Sequence, residues 1–176
     1  DRALHHRTEV MALRKHSPDV IRDALETAYD SYRDVEMAYA RVLVSMEEYE
    51  KAERALNQLQ EDDYKDSALH FFLGNIHLVR GDIDRAAEEL REAVMLDDTA
   101  AAACNNLGVA LAVQGRENEA RQSFEMARAL RLEYSDPAIN LRILREGGSP
   151  RTMRLTFNLM RSTLKPEFGP VEWPDE

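Results

Sequence analysis

SALHFFLGNIHLVRGDIDRAAEELREAVMLDDTA (residues 67–100) runs directly into AAACNNLGVALAVQGRENEARQSFEMARALRLEY (residues 101–134). Laid over each other, the two stretches repeat with a period of 34 residues. Leu73-Gly74 returns as Leu107-Gly108, Gly81 as Gly115, Ala86 as Ala120, Leu90 as Phe124 and Ala93 as Ala127. Small residues recurring at fixed offsets mark places where two backbones come close. A period of this length suits a helix–turn–helix unit. One such unit cannot bury its apolar face alone, so stacked copies share a continuous core.

The pattern continues on both sides. Residues 33–66 form a weaker copy, with Ala40 in the place of Gly74 and Gly108, Ala52 matching Ala86 and Ala120, and Leu56 matching Leu90 and Phe124. Leu59 replaces the last alanine. Helices are predicted near 67–80, 83–97, 101–114 and 117–132, with Gly81 and Gly115 turning the chain between partners. Upstream, Ser17-Pro18 is a helix-start signal. Val20, Ile21, Ala24, Leu25, Ala28, Tyr29 and Tyr32 then follow at helical spacing, after a poorer helical pattern over 3–16. Whether 18–46 is one helix or two stays open. Downstream, Asp136-Pro137 starts a helix, with Asp136 as its cap, and Gly147-Gly148 ends it. Ser149-Pro150 predicts another helix over about 150–164, with Met153, Phe157, Met160 and Leu164 on one stripe and Leu155 and Leu159 on another edge. Residues 166–176 hold three prolines and four acids and read as an extended tail.

Composition narrows the function. The chain has 176 residues, 44% hydrophobic and 32% charged, with only 7 glycines and 6 prolines, which suits a helical array. A net charge of −10 argues against general nucleic-acid binding. Residues 141–165 reverse the sign, with six Arg or Lys against the single acid Glu146. This stretch reads as a basic end complementing an acidic body, or as a docking patch. The single cysteine, Cys104, excludes an internal disulfide and a cysteine-based metal site. No apolar run is long enough for a membrane span. The chain opens at Asp1 without Met, which leaves the cytoplasm and, after loss of a signal peptide, the periplasm both open. Arg outnumbers Lys 19 to 4, which fits a GC-rich bacterial genome.

The 34-residue unit resembles the tetratricopeptide repeat, whose pattern places large residues at positions 4, 7 and 11, Gly or Ala at 8, Ala at 20, a large residue at 24 and Ala at 27. With position 1 at Arg33, Ser67 and Ala101, position 8 is Ala40, Gly74 and Gly108, and position 20 is Ala52, Ala86 and Ala120. Position 4 departs from the pattern, with Glu36, His70 and Cys104. The resemblance implies an all-α fold: a right-handed superhelix of antiparallel helix pairs, with about three repeats and extra N- and C-terminal helices. Residues 1–32 would be degenerate or capping helices. Residues 33–146 would be the array, with a further leading helix after 134. A capping helix over 147–165 would precede the tail.

In this family the first helices of successive repeats line a concave groove. Carried over, the resemblance offers Met37, Arg41, Phe71, Asn75, Leu78, Asn105, Asn106, Val109, Asn140 and Ile143 as partner-binding residues. Asn106 and Asn140 are again 34 residues apart. A primary amide carries both a donor and an acceptor, so it suits a peptide backbone whatever the side chains. The bland alternative is that these amides satisfy neighbouring backbone. The apolar members suit an amphipathic helix or apolar segment, or else simple packing between helices. The Lys/Arg set with which some members clamp a terminal carboxylate is not assembled.

His70 and His77 share a helix face at positions that usually pack between paired helices, so core packing is the expected role rather than metal binding. No nucleophile–base arrangement or phosphate loop is visible. A non-enzymatic adaptor is expected, holding a peptide or amphipathic helix of a partner protein, with no cofactor, metal or nucleic acid. The alternatives are a chaperone or assembly factor for a bacterial secretion or pilus system, and a scaffold that self-associates through its C-terminal helix.

Overall fold

The computed structural model describes residues 16–17, 19–22, 32–61 and 65–157. The described secondary structure is helical throughout. Most of the predicted 3–16 and 18–32 helices lie outside the described residues, and so does the question of one helix or two over 18–46. Residues 158–176 lie outside as well.

The chain divides into two compact units, 1–65 and 66–176. In the first, helix α1 (Tyr32–Ser45) packs on α2 (Tyr49–Glu61). Ala52, Leu56 and Leu59 of α2 are buried, spaced as one stripe of a helix should be. The unexpected acid at position 4, Glu36, is buried and has a partner. Arg22 ion-pairs with it, donating from Nη2 to Oε2 at 3.4 Å, and its guanidinium also lies 4.4 Å from the Tyr39 ring centroid. A buried carboxylate needs such a partner to be tolerated.

In the second unit the helices follow as α3 (Ser67–Val79), α4 (Ile83–Leu96), α5 (Ala101–Val113), α6 (Glu117–Leu130) and α7 (Asp136–Arg145). Each packs on the next, and α3 and α7 also touch α5 directly. The first helices of successive repeats therefore form one wall. The leading helices α3 and α5 are buried almost all round, whereas α4 and α6 bury only a stripe of Ala and one large residue.

The glycines at position 8 are the points of closest approach. A Cβ on Gly74 would lie 2.6 Å from Leu90 Cγ, and one on Gly108 would lie 2.6 Å from Phe124 Cε1. Positions 8 and 24 thus interlock within each pair. The turns repeat too. Gly81 N–H bonds Leu78 O and Asp82 N–H bonds His77 O. Gly115 and Arg116 make the same two bonds to Ala112 and Leu111. This is the Schellman end of a helix, which needs a left-handed residue, and both glycines have φ near 76°.

The region after α7 departs from expectation. Gly147, at φ 68°, ends the helix as predicted. Ser149 then caps only a single 3-10 turn, Pro150–Thr152; Met153 is extended, and residues 154–157 are not helical. The helix expected from about 150 is therefore absent over 150–157, and Leu155 does not lie on a helical edge.

Candidate functional site

Residues 154–157 lie along the wall built by α3, α5 and α7. Four asparagines on those helices hold them. The Asn140 side chain takes both backbone groups of Arg154: its Oδ1 accepts the N–H at 2.7 Å and its Nδ2 donates to the carbonyl at 2.9 Å. One repeat earlier, Asn106 does the same to Thr156, accepting its N–H at 2.9 Å and donating to its carbonyl at 2.6 Å.

Each clasp has a helper. Asn105 donates to the Arg154 carbonyl at 3.0 Å, and its Oδ1 accepts from Asn140 at 3.0 Å. Asn75 donates to the Thr156 carbonyl at 3.3 Å, and its Oδ1 accepts from Asn106 at 2.7 Å. A further bond, Asn105 Nδ2 to Asn106 Oδ1 at 3.1 Å, ties the two halves together. All four asparagines are fully buried with the segment in place. Four buried amides without partners would be costly, so the network accounts for their presence among apolar neighbours.

The clasps treat the segment as a neighbouring strand would. They take the N–H and C=O of residues 154 and 156 and skip 155, the alternation of one edge of an extended chain. No side chain of the segment is needed for these bonds.

Side-chain contacts come from Tyr134, at the end of the third repeat copy, and from Asp136, in the first turn of α7. Asp136 was expected to cap α7, but Ser135 occupies the cap position, and Asp136 sits in the first turn. Its buried carboxylate lies 3.6 Å from Arg154 Nη1 and accepts from Thr156 Oγ1 at 3.5 Å. Tyr134 OH hydrogen-bonds the same threonine hydroxyl. Burial pushes the Asp136 carboxyl above its ordinary pKa, against the opposing pull of Arg154. Burial also raises the Tyr134 phenol well above its usual range. Neither residue stood out in the sequence, because their roles depend on a segment folded back from further along the chain.

The remaining candidates divide. Phe71, Leu78 and Val109 are fully buried, with Phe71 edge-on to Phe72 at 5.5 Å between ring centroids. Met37 is buried and Arg41 half-buried on α1, in the other unit. Ile143 is half-buried and lies beside Gly148, where an added Cβ would meet its Cγ2 at 2.9 Å. His70 and His77 are buried, and His70 Nδ1 bonds Glu89 Oε2 at 2.7 Å within the α3–α4 pair. Cys104 is buried, its thiol pushed up to about 11 by desolvation. No group of three or more potential metal ligands occurs among the described residues. No helix among them is long and apolar enough to cross a membrane.

The tetratricopeptide-repeat family model matches residues 37–103. These are tetratricopeptide repeats. The chain is 35% identical over 108 residues to the photosystem I assembly protein Ycf3 of Cyanophora paradoxa, a match that covers 58% of each chain. It thus spans a little over half the length of that relative. Among solved structures it is similar to MamA MSR-1, with a TM-score of 0.60, 20% identity, and coverage of 83% of this chain and 86% of the other. MamA AMB-1 gives the same TM-score at 21% identity, covering 83% and 82%. The likeness to MamA extends the repeat fold well beyond the matched 67 residues. The repeat is a protein-interaction fold, and protein partners follow from it.

Proposed function

We propose that this chain is a non-catalytic interaction scaffold that grips the backbone of an extended partner segment on the α3–α5–α7 wall, chiefly through Asn106 and Asn140. The observation that carries the reading is the pair of two-point amide clasps on residues 154 and 156. A site that engages backbone groups alone accepts many sequences, as an adaptor requires. The similarity to a photosystem I assembly protein favours a role in assembling a larger complex over static scaffolding. Self-association through a C-terminal helix has less support, because that helix is absent over 150–157.

The test is affinity capture from the source organism with the unaltered chain and with the double variant Asn106→Ala/Asn140→Ala, both checked for equal helical content by circular dichroism. Proteins retained by the first and lost from the second are the expected outcome. Identical sets from the two would remove the asparagine wall from consideration.

A further inference from the structure

The backbone clasps are indifferent to sequence, but Tyr134 and Asp136 are not. They meet one particular pattern: a guanidinium and, two residues on, a hydroxyl. In an extended chain, residues i and i+2 point to the same side, so one small polar pocket can read both. We propose that Tyr134 and Asp136 form a selective subsite for an extended segment carrying arginine two positions before threonine or serine. The chain's own Arg154-Leu155-Thr156 fills that subsite in competition with a partner. This inference rests on the groove reading above and adds to it a ligand class and a built-in competitor.

Two observations support displacement rather than a permanent fixture, and a third says how strongly a partner must compete. The segment is held mainly by hydrogen bonds to its backbone, and a second peptide of the same pattern can replace these one for one. Its side chains bury little, with Arg154 exposed and Leu155, Thr156 and Phe157 only half-buried. The connection from Arg145 to Arg154 is short, so the tethered segment competes at an effective concentration on the order of millimolar. A partner therefore meets a site that is complete but occupied.

The probe is a fluorescent peptide with the sequence of residues 151–157, RTMRLTF, and a control with alanine at both the arginine and threonine positions, RTMALAF. Binding is read by anisotropy against the full chain. In Thr156→Pro the internal segment loses the N–H that Asn106 accepts and the hydroxyl that Tyr134 and Asp136 contact. Arg154→Glu is a second way to release it, by setting two carboxylates against each other. Either variant should bind RTMRLTF at least roughly ten-fold more tightly than the unaltered chain does, since the competing tether is removed. On the released chain the control should bind about ten-fold more weakly than RTMRLTF, as loss of charge-assisted bonds predicts, and adding Tyr134→Phe and Asp136→Ala together should abolish that difference.

Equal affinity of released and unaltered chains for RTMRLTF overturns the competition. Equal affinity of the released chain for both peptides overturns the subsite while leaving the backbone clasps standing, provided that Asn106→Ala still weakens both. No binding of either peptide to any form overturns the groove reading itself.

Discussion

At Glu47 the backbone takes φ 62°, the left-handed conformation that Gly81 and Gly115 hold at the same point of the next two repeats, 34 and 68 residues on. The hydrogen bonds are also the same: Glu47 N–H to Val44 O and Glu48 N–H to Leu43 O. The turn is therefore imposed by the repeat, and Glu47 adopts it against its own preference. A left-handed residue with a Cβ costs roughly 1–2 kcal/mol, while glycine loses roughly 0.5–1 kcal/mol more on ordering. Glu47 is exposed, so its side chain gives little in return. Glu47→Gly should stabilise the first unit by about 0.5–1 kcal/mol, measured by urea titration. No gain would mean that the carboxylate makes a compensating contact. In the sequence this position looked unremarkable, because only the later copies carry the glycine that reveals the turn.

At the level of helices, the features that identified the repeat are those that set its packing. Gly74 and Gly108 stand where Leu90 and Phe124 of the partner helix press against the backbone, and both large residues are fully buried with nowhere to retreat. Gly74→Leu should destabilise the second unit by roughly 1–3 kcal/mol through overpacking, read from the denaturation midpoint at unchanged slope. A neutral result would show that the α3–α4 contact yields more easily than its geometry suggests. The repeat period and its turn signals were enough to find α3 to α7 within a residue or two, because each lies between breaks that its own sequence encodes. The stretch from 150 is different. Met153 and Phe157 do fall on one helical stripe, but Arg154 and Thr156 find their backbone partners on Asn140 and Asn106. Those partners are distant in sequence and favour an extended chain. Asn106 and Asn140 were legible as candidates because they recur at the repeat period. Tyr134 and Asp136 were not, since nothing local distinguishes a subsite acid from one at a helix start.

Across the second unit, the segment and the wall complete each other. Without residues 153–157 the four asparagines would face water rather than peptide, exchanging protein hydrogen bonds for solvent ones. A chain ending at Thr152 should keep its helical circular dichroism and lose on the order of 3 kcal/mol of stability or more, at roughly 0.5–1.5 kcal/mol for each backbone hydrogen bond that the four asparagines exchange for water. Collapse of the helical signal would instead make the segment a structural keystone. The clasps also give the site a direction. Thr156 lies on the earlier asparagine and Arg154 on the later, so the held chain runs opposite to the order of the repeats. At the same position of the two preceding copies stand Phe72 and Ala38, neither of which has a side-chain amide. Neither clasp touches a chain terminus, and the held residues have polypeptide on both sides. A partner gripped as we propose would be held in mid-course, so that loops and linkers, and not only tails, would fall within reach.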